Sequence, residues 1–151
     1  MLGRVLAIDI GSKRVGLAIS DEMRLSVRTL PALPRTPWKR LLGSLADLCG
    51  EFDVRTIVLG LPLRLDGSEG DAALEARRVA RNLELSLKLP LILQDERLTS
   101  KAAEQALRAD GLNVAEIAEK VDSEAASIIL SDFLASQSEG SARPDVVEKY
   151  L

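Results

Sequence analysis

Three acidic residues stand where a carboxylate could do chemistry. Asp9 interrupts the aliphatic run Val5-Leu6-Ala7-Ile8-Asp9-Ile10. Aspartate is depleted in strands, and an unpaired buried carboxylate is costly. Asp9 therefore either accepts backbone hydrogen bonds from the turn at Gly11 or belongs to a site. Glu96 follows Leu91-Ile92-Leu93-Gln94-Asp95, at the carboxyl end of a strand, where α/β sheets place their sites. Its plain alternative is an exposed ion pair with Arg97, which contributes little. Adjacent strand residues point to opposite faces, so Asp95 and Glu96 do not both face one site. Asp122 precedes Ala125-Ala126 at the expected start of the last helix. Read from the residues alone, an N-cap is favoured there over a metal ligand. If that helix packs beside the sheet, the three acids cluster. Such a cluster normally holds a divalent cation, because like charges at close range repel. The chain has no histidine and one cysteine. An all-oxygen ligand set favours Mg²⁺ or Mn²⁺ over zinc and suits in-line displacement at phosphorus.

Basic and hydroxyl residues lie close to these acids in sequence. Ser12, Lys13 and Arg14 occupy the turn after Asp9, whose glycines leave backbone amides open to a phosphate. Arg97, Thr99 and Ser100 follow Glu96 and offer a guanidinium, hydroxyls and helix N-terminal amides. The bland reading of each is a solvated turn residue. For Arg24, Arg28, Arg35, Lys39 and Arg40 that reading is preferred, or at most a diffuse surface attracting phosphate. Trp38 is read as a packing residue of the first helix.

The elements that must position these groups come from an ordinary globular composition. The 151 residues are 46% hydrophobic and 28% charged, enough for one domain with its own core. Absence of histidine excludes Ser-His-Asp and Cys-His catalysis, and Cys49 alone excludes a disulfide framework. No apolar run approaches the ~20 residues of a membrane span, and no signal segment is visible. The expectation is a cytoplasmic protein without a membrane partner. Residues 1–64 carry ten Lys/Arg against six Asp/Glu, and residues 65–151 ten against seventeen. The amino-terminal half can thus face an anionic partner within an acidic protein.

Residues 5–10 and 15–20 read as a strand hairpin, with a third strand within Leu25–Leu33. Thr36 can cap a helix with Pro37 in its first position, followed by the stripe Leu41, Leu42, Leu45, Leu48 and Cys49. Thr56–Leu59 reads as a buried central strand, and Gly60 to Gly70 as a loop. Asp71 begins a second helix with Leu74, Val79, Leu83 and Leu87 inward, stopped by Pro90. Leu91–Gln94 is a strand. Thr99 or Ser100 caps a short alanine-rich helix ending at Gly111. The last helix spans about Asp122 to Ala135, burying Ala125, Ile128, Ile129 and Phe133. The order β-β-β-α-β-α-β-α-α implies an α/β fold with a mixed five-stranded sheet and helices on both faces. The domain is expected over residues 1–136, with a polar tail at 137–151.

Four segments resemble one family: Asp9-Ile10-Gly11-Ser12-Lys13-Arg14-Val15-Gly16-Leu17-Ala18, Val58-Leu59-Gly60-Leu61-Pro62-Leu63 with Asp66-Gly67-Ser68, Asp95-Glu96-Arg97-Leu98-Thr99-Ser100, and Lys120-Val121-Asp122-Ser123-Glu124-Ala125-Ala126. Together they are similar to the bacterial RuvX/YqgF family, over roughly residues 3–136. The resemblance implies a ribonuclease H-like fold and a catalytic, metal-binding triad at Asp9, Glu96 and Asp122. It promotes Asp122 from the N-cap reading. It also implies a Mg²⁺- or Mn²⁺-dependent nuclease acting on structured RNA, with 5′-end processing of pre-16S ribosomal RNA as the first reading. Resolution of branched DNA at Holliday junctions is the alternative, for which a homodimer rather than a monomer would be expected.

Two readings from other classes compete. Asp9-Ile10-Gly11-Ser12 looks like the first phosphate loop of the actin and sugar-kinase superfamily. That fold closes two lobes on a nucleotide, and this chain supplies one, with no second Asp-x-Gly loop. A non-catalytic nucleic-acid-binding module would gain nothing from three acids facing phosphate.

Overall fold

The computed structural model describes residues 2–96 and the helix at 114–140, with the side chains of 123–137 in that helix. Five strands form one sheet: β1 Arg4–Ile10, β2 Arg14–Ser20, β3 Val27–Pro34, β4 Val54–Leu61 and β5 Leu91–Asp95. Their order across the sheet is β3-β2-β1-β4-β5. β1 and β2 are antiparallel, as are β2 and β3, whereas β1–β4 and β4–β5 are parallel. A three-residue turn can only reverse the chain, but a helical crossover allows parallel pairing. The mixed sheet follows from those connections.

Helix α1 spans Trp38–Glu51, α2 Asp71–Leu87 and α3 Val114–Gly140. The first two cover one face. There Leu6, Ile8, Val15, Leu17, Ile19, Ile57 and Leu59 meet Leu41, Leu45, Val79 and Leu83. The expected α1 stripe is observed, with Leu42, Leu48, Cys49 and Trp38 packed at its margin. Burial pushes the Cys49 thiol up to about 11, so it packs as a neutral side chain. α3 covers the opposite face. Val5, Ala7, Ala18 and Val58 there meet Ala126, Ile129, Leu130 and Phe133. Ser123 donates from Oγ to the Leu30 carbonyl at 2.8 Å, which fastens α3 to β3.

Several expectations are corrected in detail. The α1 N-cap is Pro37, not Thr36, and no side chain caps it. The Pro37 carbonyl accepts from the Arg40 and Leu41 amides instead. Gly60 is not a loop residue but lies inside β4. Leu74 is 61% exposed, because the inward stripe of α2 runs through Ala73, Ala76, Val79, Ala80 and Leu83. Ile128 is half-buried rather than buried. α3 starts at Val114, not Asp122, and continues to Gly140, past Ser136. The residues before Asp122 carry no helix breaker, so nothing stops the helix from extending toward Val114. The expected alanine-rich helix ending at Gly111 lies outside the described residues. Among the described residues no helix is long and apolar enough to cross a membrane.

Candidate functional site

The parallel strands β1, β4 and β5 all run toward one end of the sheet. Asp9 lies one residue before the end of β1, and Glu96 one residue past the end of β5. The Glu96 amide donates to the Leu61 carbonyl at 3.2 Å, which holds the residue against the end of β4. Val5 and Ala7 point to the α3 face, so strand alternation puts Asp9 there too. Its neighbours on both sides lack side chains. Asp9 pairs with Gly16 on β2, and the Ile8–Leu59 register places Gly60 of β4 beside it. Larger residues at either position would fill the space into which the carboxyl projects.

The Glu96 side chain folds back over Gly60. A methyl carbon on Gly60 would lie 2.7 Å from Glu96 Oε2 and 2.7 Å from Ile129 Cδ1. The Glu96 carboxyl is thus clamped between the β4 backbone and α3. It is hydrogen-bonded to Asp9, which is only 5% exposed. Burial pushes the Glu96 carboxyl up to about 9, helped by the bond to Asp9 and by the charges of Asp9 and Asp95. Two carboxyls in one buried space cannot both ionise cheaply, so this pair retains a proton at neutral pH. Glu96 Oε2 is buried with no hydrogen-bond partner. A buried oxygen in that position normally has a partner, and its orphaning marks a place where an electropositive group fits.

Asp122 lies on α3, inside the helix rather than at its start, which removes the N-cap reading. It precedes the fully buried Ala125 and Ala126 by three and four residues, so its position shares their helical stripe. Its side chain is outside the described residues. Among the described residues no three Asp, Glu, His or Cys side chains form a group that could hold a metal ion. Asp132, further along α3, is raised above its ordinary value by partial burial and then by the charge of Asp95.

Ser12, Lys13 and Arg14 are exposed at the β1–β2 turn. Arg97, Thr99 and Ser100 lie outside the described residues. Arg35 departs from its reading as a solvated residue. Its amide donates to the Lys13 carbonyl and its Nη1 to the Gly11 carbonyl, both at 3.0 Å. Its Nη2 meets Glu75 on α2 at 2.9 Å. Arg35 therefore fixes the turn that carries the candidate phosphate-binding residues. Arg24 is likewise tied down and partly buried, donating from Nε to the Gly3 carbonyl at 2.8 Å, and Arg28 lies over the Phe52 ring.

Sequence reasoning missed Gly16, Gly60 and Arg35 as parts of the site. A single glycine within an apolar strand run signals close approach, and both glycines carried that signal. Arg35 carried none, because its bonds are to backbone far away in sequence.

The fold is shared with solved resolvases. The Thermus thermophilus RuvC structure in complex with a Holliday junction substrate aligns with a TM-score of 0.53 at 18% identity, covering 90% of this chain and 96% of that one. The fowlpox virus resolvase aligns with a TM-score of 0.55 at 11% identity, covering 88% and 97%. The five-stranded sheet is accordingly a ribonuclease H-like one. A sequence relative from Syntrophus aciditrophicus, named "Putative pre-16S rRNA nuclease", is 42% identical over 131 residues, 87% of each chain. One of the same name from Chloroflexus aggregans is 42% identical over 130 residues, 86% of this chain and 92% of that one. The family model described as RuvX, Holliday junction resolvase, matches residues 3–136, and on that match and those identities the chain belongs to the RuvX family.

Proposed function

We propose that this chain is a metal-dependent nuclease that hydrolyses phosphodiesters of structured nucleic acid, with the 5′ end of pre-16S ribosomal RNA as its substrate. The observation that carries the reading is the Asp9–Glu96 pair: two buried, proton-sharing carboxyls over a glycine, with Glu96 Oε2 lacking any partner. A structural carboxylate pair would have its oxygens satisfied. These oxygens fit a hard divalent ion, Mg²⁺ or Mn²⁺, with Asp9, Glu96 and Asp122 as its holders. Such an ion supplies Lewis-acid stabilisation of charge at phosphorus and an acidified water.

The chain's own groups do the rest. Glu96 would hold such an ion only in its deprotonated form, because a carboxylate rather than a carboxylic acid is the ligand. Ser12, Lys13 and Arg14 bind the substrate backbone at the turn, and Arg97, Thr99 and Ser100, which follow Glu96 in the sequence, contribute to the same binding. Arg35 orients the turn through its bonds to the Gly11 and Lys13 carbonyls. The protein works in the cytoplasm, as a monomer or homodimer.

A second reading, resolution of branched DNA, is favoured by the description of the matched family. Purified protein with Mg²⁺ or Mn²⁺ is offered a precursor ribosomal RNA fragment and a four-way DNA junction side by side. Chelator-sensitive cleavage of the RNA alone supports the first reading, and of the junction alone the second. Cleavage of neither, with either metal, overturns the nuclease reading.

A further inference from the structure

The sheet end that carries the carboxyl pair has a cavity on its other face. Ile10 follows Asp9 and points the opposite way, into a cleft of about 380 Å³ between the start of α1 and the middle of α2. That size lies within the roughly 300–1,000 Å³ of small-ligand clefts. Trp38, Leu41 and Val79 line it together with Ile10. Arg78 and Asn82, both exposed, stand on the α2 side. Glu75, Arg78, Val79 and Asn82 are spaced as one stripe of α2, so the helix presents a charge, an apolar floor and an amide along one line.

We propose that this cleft binds an unpaired nucleobase with its attached phosphate, from the nucleic-acid strand whose backbone lies at the carboxyl pair. The proposal rests on the nuclease reading for the source of the strand. An aromatic ring and aliphatic side chains form the walls that a flat base needs, and stacking of this kind is tolerant of base identity. The Asn82 amide supplies a donor and an acceptor for a base edge. Arg35 and Arg78 both pair with Glu75, leaving two guanidinium groups against one carboxylate. The excess positive charge suits a phosphodiester at the rim.

Position favours a strand over a free metabolite. Arg35 lines the cleft and also holds the Gly11 carbonyl in the turn beside Asp9. A strand that passes over this turn reaches both faces of the sheet end. The cleft would thus hold an unpaired end while the backbone lies at the carboxyls.

Trp38 is the chain's single tryptophan, so its fluorescence reads the cleft directly. Wild-type protein in chelator, where no metal can support cleavage, is titrated with a short unlabelled single-stranded RNA, with adenosine monophosphate and with ribose 5-phosphate. Saturable quenching by the RNA is expected, with Asn82→Ala and Arg78→Ala each weakening it about tenfold. Both positions are exposed, so neither change should unfold the protein. A mononucleotide that binds as tightly as the RNA would support the cleft but assign it to a free nucleotide. Quenching by ribose 5-phosphate equal to that by adenosine monophosphate, or RNA quenching indifferent to both substitutions, overturns the proposal. With metal restored, Arg78→Ala should raise KM for a substrate with an unpaired end and leave kcat unchanged. Quenching without any cleavage would sink the nuclease reading and keep the cleft. Cleavage with a silent Trp38 would do the reverse.

Discussion

The two faces of the sheet are built from different residues. Under α1 and α2 the strands present Leu6, Ile8, Leu17, Ile19, Ile57 and Leu59, large aliphatics that interlock with leucines and a valine. Under α3 they present Val5, Ala7, Ala18 and Val58, with Gly16 and Gly60 flanking Asp9. Large side chains bury the most area and hold the fold. Small ones bury less but let α3 lie against the strands, and the two glycines leave room beside Asp9 at the sheet end. There the chain places two buried carboxyls side by side, an arrangement that weakens the fold. One face of this sheet supplies stability, and the other spends part of it on a site.

That contrast is tested most severely by paired substitutions. Leu45→Ala, at a fully buried α1 position, should cost about 2–5 kcal/mol of stability and leave the rate per folded molecule intact. Asp9→Asn should do the opposite. Loss of a partner to a metal ligand costs about 10–100-fold, and loss of a ligand itself should cost more than about 100-fold. Its stability should hold or rise, because Glu96 no longer has a second acid beside it that makes its own ionisation costly. Denaturant melts and cleavage rates measured on both proteins check this. A Leu45→Ala enzyme that keeps its fold but not its rate would mean that the two faces are not separable.

Gly60→Ala reaches across the contrast. The added methyl would lie 2.7 Å from both Glu96 Oε2 and Ile129 Cδ1, tighter than any carbon tolerates. The Glu96 carboxyl and the tip of Ile129 must both shift, at a cost of about 1 kcal/mol or more. Cleavage should fall with it, while Gly43→Ala inside α1, with open space around it, should leave cleavage unchanged and raise stability by up to about 1 kcal/mol. A normal rate in Gly60→Ala would show that the Glu96 position is not needed.

The sequence was most legible where a pattern is local. Strand alternation and the 3.6-residue stripe of α1 placed both sides of the core, and the aliphatic run around Asp9 marked it as anomalous. The pairing of Asp9 with Glu96 was not readable from spacing, because it depends on β1, β4 and β5 lying side by side. The family resemblance supplied it instead. Helix ends were the weakest point. Thr36 and Asp122 are both good capping types, yet α1 is capped at Pro37 and Asp122 lies inside α3, because a capping residue acts only where the chain geometry already turns. Leu74 reads as inward because leucine is apolar, but the face of α2 that packs on the sheet runs through Ala73, Ala76, Val79, Ala80 and Leu83.

The Glu96 carboxyl allows a prediction with a defined sign. Its folded value is raised to about 9, above the ordinary 4.5 of an unfolded glutamate. Between those values the folded state binds more protons than the unfolded state, so stability must fall as pH rises. Below pH 4.5 the group contributes no slope. Metal-free melts from pH 5 to 9 should show this decline, and Glu96→Gln should flatten it. Mg²⁺ should offset it most at high pH, where the carboxylate is free to bind the ion. A wild-type slope equal to that of Glu96→Gln would place the titrating group elsewhere.

Asp122 gives the smallest stability change and separates two roles for one residue. At a helix start, Asp122→Ala would cost about 1 kcal/mol through the lost cap. Asp122 is instead inside α3, where alanine is the better helix former by up to about 0.7 kcal/mol. The substitution should therefore leave the metal-free protein as stable as wild type or slightly more so. If Asp122 is the third acid of the site, the mutant should also lose most of its cleavage and respond less to Mg²⁺ in thermal melts. These signs differ from those of any cap, and the metal response distinguishes a ligand from an inert surface acid. A stabilised mutant with full activity and an undiminished metal response would leave Asp9 and Glu96 as the whole carboxylate site. That outcome would remove Asp122 from the triad while keeping the pair that the fold brings together.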